Sequence, residues 1–163
     1  MAVNAENKIK LIVVTPYKTF FEDKADIVVV PSIDGELGVM CGHSPLVVAL
    51  KPGICKIITG DETLHFSCSE GYAEIGHKVA LVVCNSAEWP EEINVNRIVN
   101  SYLDGKAKMK QDEMLKREQK AIITSDNRNL YERAKARMHL VEIAGTDAQK
   151  NKLIQLKKDL GID

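Results

Sequence analysis

Four cysteines are the first candidates for chemistry: Cys41, Cys55, Cys68 and Cys84, separated by 14, 13 and 16 residues. Thiolates hold zinc best when two ligands share one knuckle, as in C-x-x-C, and no such pair exists here. A disulfide framework fits poorly as well, because Met1 to Lys10 lacks both a signal peptide's apolar core and a transit peptide's arginines. The expectation is reduced thiols packed like small apolar side chains. The histidines are His43, His65, His77 and His139, and no G-x-S-x-G elbow or H-E-x-x-H helix accompanies them. Cys41-Gly42-His43 invites a thiol–imidazole reading that nothing else in the sequence supports. Phosphate-cradling motifs are missing too: there is no G-x-x-x-x-G-K-[ST] and no G-x-G-x-x-G. No pair of carboxylates stands out from the surface. No catalytic constellation, metal site or cofactor site emerges.

One segment is unusual in another way: Gly35 to Leu46, GELGVMCGHSPL. Gly35, Gly38 and Gly42 recur every three or four residues, too often for a plain strand. Each glycine is expected to relieve a positive φ or a close backbone approach. Pro45 stops the turn before Leu46-Val47-Val48 resumes a strand. The segment therefore reads as a tight double turn at a sheet edge. Glu36 and His43 are its polar side chains, placed for contact with a partner.

The elements that carry this segment divide the chain in two. Up to Pro90 there are 7 lysines, no arginine and 11 acids, a balance of −4; from Glu91 onward 15 basic and 12 acidic residues give +3. The near-neutral total of −1 argues against a dedicated nucleic-acid binder, and no apolar run approaches the ~20 residues of a membrane-spanning helix. A boundary is expected near Glu88 to Ile93, where Trp89-Pro90 interrupts the chain.

Before that boundary, short β-branched runs recur: Ile9 to Thr15, Asp26 to Val30, Pro45 to Leu50, Gly53 to Thr59, Thr63 to Ser67 and Val79 to Cys84. Turn signals separate them at Asp34-Gly35, Pro52-Gly53, Gly60-Asp61, Glu70-Gly71 and Gly76-His77. Period-two alternation marks Ile9, Leu11 and Val13, and again Leu64, Phe66 and Cys68. Ile27 to Val30 and Leu81 to Val83 read as strands covered on both faces. Such spacing indicates an antiparallel sandwich or barrel.

After the boundary, helices are expected. Asn94 caps a helix whose stripe is Val95, Ile98, Val99, Tyr102 and Leu103, continuing through Ala107, Met114 and Leu115. Gly105 costs it about 1 kcal/mol relative to alanine. Thr124-Ser125-Asp126-Asn127 is a polar break. A second helix carries Leu130, Ala134, Met138 and Val141, and Gly145 ends it. Thr146 or Asp147 caps a third segment with Leu153, Leu156 and Leu160, stopped by Gly161. The overall expectation is α+β: a β-sandwich over residues 1–92, a helical hairpin over 93–145 and a helical extension over 146–163.

Several of these motifs occur together in one family. Gly35-Glu36-Leu37-Gly38 with Gly42-His43-Ser44-Pro45-Leu46 resembles the signature of the epsilon subunit of F-type ATP synthases. Thr15-Pro16 through Phe20-Phe21, Val30-Pro31, Leu50-Lys51-Pro52-Gly53, Glu70-Gly71-Tyr72-Ala73-Glu74 and Ile93-Asn94-Val95-Asn96-Arg97 follow in the family's order. The resemblance runs from about Lys8 to Ala144. It implies a sandwich of about ten antiparallel strands, a pair of C-terminal helices, and a non-catalytic role in the rotating central stalk. It further implies that the sandwich binds the gamma subunit and the c-ring, and that Gly35, Glu36, Leu37, Gly38, Gly42, His43 and Pro45 form the turn facing them. The helical pair would fold against the sandwich or extend along gamma to restrain ATP hydrolysis, its basic residues (Arg128, Arg133, Arg137) meeting the alpha and beta catalytic subunits. The implied location is peripheral, on the cytoplasmic side of a bacterial cell membrane.

Some members bind ATP between the helices through an I/L-D-x-x-R-A motif and two arginines on the second helix. Here Ile93 and Arg97 persist, Asn94 stands for the aspartate and Ile98 for the alanine, and Arg133 and Arg137 keep the second-helix pair. An asparagine accepts a hydrogen bond but carries no charge, so the implied nucleotide binding is weak at best. Cys41 stands where many members have proline, and the tail from Thr146 to Asp163 extends beyond the usual second helix. The alternative from another class is a free-standing β-sandwich adaptor or ligand-binding module with a helical lid.

Overall fold

The computed structural model describes residues 7–117 and 125–162, and the side chains of these apart from 115–117 and 125. Leu115 and Thr124 of the helical reading therefore lie outside the described side chains and residues, respectively. The chain forms two compact units, one ending at Trp89 and the other starting at Pro90.

The first unit is a ten-stranded sheet: β1 (Ile9–Val14), β2 (Thr19–Ala25), β3 (Ile27–Ser32), β4 (Gly35–Met40), β5 (Leu46–Leu50), β6 (Gly53–Thr59), β7 (Glu62–Cys68), β8 (Gly71–Ile75), β9 (Val79–Cys84) and β10 (Ala87–Glu88). The order is β10-β7-β6-β3-β5-β8-β9-β1-β2, with β4 attached to β3. The sheet curls into a sandwich whose core holds Ile9, Leu11, Val13, Val28, Val30, Phe66, Ile75 and Val82. Aromatic contacts link its distant strands. Phe20 of β2 stacks on Trp89 at 4.8 Å and meets Phe66 of β7 at 5.2 Å. Such pairs contribute about 0.5–1.5 kcal/mol beyond the area they bury.

The structure differs from the sequence pattern in specific places. Pairing is antiparallel except between β1 and β9, which run parallel from Lys10↔Val79 to Val14↔Val83. The segment from Gly35 to Met40 is a strand, not part of a double turn, and pairs with β3 along its whole length. The turns lie on either side of it. Ile27 to Val30 of β3 and Leu81 to Val83 of β9 alternate between half-buried and buried residues, so neither stretch is fully covered on both faces. Leu64, expected inside with Phe66 and Cys68, is 47% exposed. β2, with sequence TFFEDKA, is largely polar and shows no apolar alternation.

The second unit begins with a short 3-10 turn, Pro90–Glu92, followed by α1 (Val95–Arg117), α2 (Ser125–Ala144) and α3 (Asp147–Leu160). The Asn94 Oδ1 accepts the N–H of Arg97 at 3.2 Å, capping α1. Val95, Ile98, Val99 and Tyr102 of α1 are buried, as are Ala134, Met138, Leu140 and Val141 of α2. The α1 stripe stops there: Ala107 is exposed and Met114 is 55% exposed. Ser125 to Asn127, expected as a break, are already helical, and Asn127 Nδ2 donates to Asp112 Oδ2 at 2.9 Å. Thr146, not Asp147, caps α3, and Gly161 closes it at φ 61°.

Gly105 is explained by packing. A Cβ there would lie 2.9 Å from the Cα and 3.0 Å from the N of Tyr131, so only glycine lets α1 and α2 approach so closely. The Tyr102 and Tyr131 rings sit beside this contact, 5.0 Å apart.

Candidate functional site

The candidate partner-facing residues are set by β4 and the turns at its ends. Ser32 accepts the Asp34 N–H on its Oγ, which shapes the β3–β4 turn, and Gly35 follows at φ 140°. At the far end, Gly42 lies at φ 85°, its N–H donating to the His77 carbonyl, and His43 N–H donates to the Met40 carbonyl. His43 also donates from Nδ1 to the Ser44 carbonyl at 2.7 Å, which fixes the ring beside its own backbone. Gly38 is mid-strand, with an ordinary φ and open space where a Cβ would be. β4 spans about 17 Å at strand rise. The Gly35-Glu36-Leu37-Gly38 and Gly42-His43-Pro45 groups are thus not one turn: the first runs along β4 from its start and the second lies in the segment beyond its end.

Glu36 is exposed and receives both of its oxygens' contacts from Lys56 Nζ, at 2.9 and 3.1 Å. Lys56 lies opposite His65 across β6 and β7. Partial burial, and then the positive Lys56, hold the His65 imidazole below its ordinary pKa.

Beside β4 an open groove of about 480 Å³ is lined by the β3–β4 turn, Gly35, Glu36 and Leu37, and by Leu46 to Ala49 of β5. Its rim is apolar: Ile33 is 61% and Val47 67% exposed, and Leu46 is also exposed. Exposed apolar groups gathered on one patch mark a surface for another protein. The sequence reading passed over Ile33 and Val47. All five residues of LVVAL are apolar, but only Leu50 is buried and Val48 partly so against the core, which leaves Leu46, Val47 and Ala49 exposed.

The nucleotide candidates divide between two helices of the second unit. Ile93 is buried ahead of α1, and Asn94 and Arg97 are exposed at its start. The Asn94 oxygen is already used as the helix cap. Arg133 and Arg137 lie one turn apart on α2, both half-buried. Partial burial and the positive Arg137 hold the Arg133 guanidinium below its usual pKa. Among the described residues, no group of three or more histidines, cysteines or acids is placed to hold a metal.

Comparison with known proteins decides the family. Residues 8–90 match the family model for the ATP synthase Delta/Epsilon chain β-sandwich domain. The chain is 32% identical over 112 residues to the ATP synthase epsilon chain of Alkaliphilus metalliredigens, covering 69% of this chain and 79% of that one. The chain belongs to the ATP synthase epsilon family. The epsilon chain of Caldicellulosiruptor saccharolyticus is likewise 32% identical over 102 residues, covering 63% of this chain and 74% of that one. That of Desulforamulus reducens is 38% identical over 88 residues, covering 54% of this chain and 67% of that one. Among solved structures, a chain of the Euglena gracilis mitochondrial ATP synthase shares the fold with a TM-score of 0.63 at 18% identity, over 83% of this chain and 82% of that one. Family membership accounts for the ten-strand sandwich and for the absence of catalytic groups from the sequence reading. The matched residues 8–90 include β4, the groove and its apolar rim, and leave out all three helices.

Proposed function

We propose that this chain is a non-catalytic central-stalk subunit of an F-type ATP synthase, joining the gamma subunit to the c-ring. The observation that carries it is the family match over the sandwich, residues 8–90. The face we assign to those partners is the apolar groove beside β4, which Gly35, Glu36 and Leu37 line, together with Gly38 in that strand and Gly42, His43 and Pro45 in the segment that follows it. The helical unit contacts the alpha and beta subunits and restrains ATP hydrolysis. Its excess of basic residues after Pro90 favours that contact with acidic protein surface.

The subunit belongs to a membrane-associated complex. No described helix is long and apolar enough to cross a membrane, which agrees with attachment through partner subunits. We place it on the cytoplasmic side of a bacterial membrane, the relatives named above that share most sequence being bacterial. ATP binding at Ile93, Asn94, Arg97, Arg133 and Arg137 is the regulatory extension of this reading. The arginine pair supports it, and the engaged Asn94 oxygen keeps it weak.

Co-purification of the full chain with a gamma subunit tests the reading. A Val47→Asp substitution on the groove rim is expected to abolish capture without unfolding the sandwich, because Val47 is already exposed. Failure of the unsubstituted chain to bind gamma would refute stalk membership. Calorimetric titration with ATP and Mg²⁺-ATP tests the ligand, and no saturable binding at millimolar concentration would remove it.

A further inference from the structure

The helical unit is closed by a device that the helical-hairpin reading does not contain. Gln149 sits in the first turn of α3, and its side-chain amide is fully used. Its Oε1 accepts from the N–H and Oγ1 of Thr146, completing a capping box. Its Nε2 donates to the carbonyls of Pro90 and Ile93, both at 2.9 Å. Those carbonyls precede the helix ladder, whose first acceptor is Asn94. One side chain therefore ties the C-terminal helix to the root of α1, 56 and 59 residues away in sequence.

Three further contacts hold α3 in place. Leu153 is 1% exposed, and Ile162 beyond the helix end is also buried. Lys157 Nζ reaches Glu142 Oε1 of α2 at 3.1 Å. Gly145 makes the sharp reversal between α2 and α3: a Cβ there would strike the Val141 carbonyl oxygen at 2.5 Å. The start of α1 and the end of α2 are thus both gripped by α3.

We propose that α3 is a clasp which keeps the helical unit shut, so that α1 and α2 are released for contacts elsewhere only when Gln149 lets go of Pro90 and Ile93. Its regulatory consequence rests on the reading that this unit restrains ATP hydrolysis. A clasped unit restrains less, and a loosened one more. Glutamine is required for the grip. Glutamate at the same position would still complete the Thr146 capping box, but it has no N–H to offer the two carbonyls.

Gln149→Glu therefore separates capping from clasping. In hydrogen exchange on the isolated full chain, the variant is expected to keep α3 protected. Amides in the first two turns of α1 and the last two of α2 should exchange about ten-fold faster, as expected for a lost pair of partly buried hydrogen bonds. The sandwich strands act as the internal control. Unchanged exchange in α1 and α2, or a loss confined to α3, overturns the clasp. ATP hydrolysis is then compared in complexes containing the unsubstituted chain, the variant, or no such subunit. The expected order is fastest without the subunit and at least about two-fold slower with the variant than with the unsubstituted chain. Equal rates for variant and unsubstituted chain, both below the subunit-free rate, would leave α3 a structural brace and overturn its regulatory role. Equal rates in all three would instead refute inhibition by the helical unit, while the exchange result would still decide the clasp.

Discussion

Replacing Gly105 by alanine sets two physical effects against each other in the helical unit. Helix propensity alone predicts a gain of about 1 kcal/mol, since glycine in a helix interior is that much worse than alanine. Packing predicts the reverse. The added Cβ would meet the Tyr131 Cα at 2.9 Å, its N at 3.0 Å and its Cβ at 3.1 Å. Ordinary carbon contacts lie near 3.5–4.0 Å, so α1 and α2 must separate by roughly 0.7 Å. No rotamer change relieves this, because two of the three atoms struck are backbone. A gap of that size forfeits a quarter to a half of the dispersion energy along the seam, and overpacking of this kind costs about 1–3 kcal/mol. The net expectation is a loss of about 1 kcal/mol, or roughly 4–8 °C in the melting of a unit this size. Circular dichroism at 222 nm follows the helices, while the single tryptophan, Trp89, reports the sandwich by fluorescence. Gly105→Ala should lower the first transition and leave the second in place. A rise in the helical transition would show that propensity wins and that the close approach does not matter.

Glycines in the sandwich should respond according to their backbone. Gly42→Ala, at φ 85°, is expected to destabilise by about 1–2 kcal/mol, whereas Gly38→Ala should change urea stability by less than about 0.5 kcal/mol. Thiol labelling should be sharply graded: half-exposed Cys41 reacts in the native state, and Cys55, Cys68 and Cys84 react only on unfolding. Burial pushes the Cys84 thiol up to about 12, so raising the pH to 9 should not recruit it. Tyr131 is also pushed up to about 12, first by its hydrogen bond with Tyr102 and then by partial burial. The folded state therefore holds this proton more tightly than the unfolded chain, whose tyrosine titrates near 10. Its contribution is complete below about pH 10 and lost as pH rises through about 12, a slope that Tyr131→Phe should remove from the helical melting curve.

Much of the fold was legible because pattern and environment agree. Ile9, Leu11 and Val13 recur at every second position and all three are fully buried, while Lys10, Ile12 and Val14 between them are only half-buried. Gly53–Thr59 and Val79–Cys84 are strands with the bounds their β-branched runs suggest. Asn94 caps where its side-chain oxygen predicts, and of the two candidates for α3, Thr146 and Asp147, it is Thr146 that caps. β2 was hidden because its register is set by pairing with β1, not by its own TFFEDKA composition. β4 was hidden because its glycines suggest turns, while pairing with β3 at all six of its residues holds it extended. The candidate site was legible in its motif but not in its shape. Nothing local says that Gly35 starts a strand and His43 lies beyond its end, or that Val47 faces outward. The grip of Gln149 on Pro90 and Ile93 joins residues too far apart in sequence for any spacing rule to link.

The parallel pairing of β1 with β9 sets the order in which the sandwich can assemble. β1 is made first, yet its partner for Lys10 to Val14 is Val79 to Val83. Until that strand has left the ribosome, β1 has only β2, an antiparallel ribbon too small to be stable alone. Its other edge, flanked by the apolar Ile9, Leu11 and Val13, waits unpaired through most of synthesis. Closure of such a distant contact is slow, and an open apolar edge invites pairing with other chains. The earliest of these ten strands is thus among the last to be secured, and its apolar edge is expected to stay open to other chains until β9 arrives.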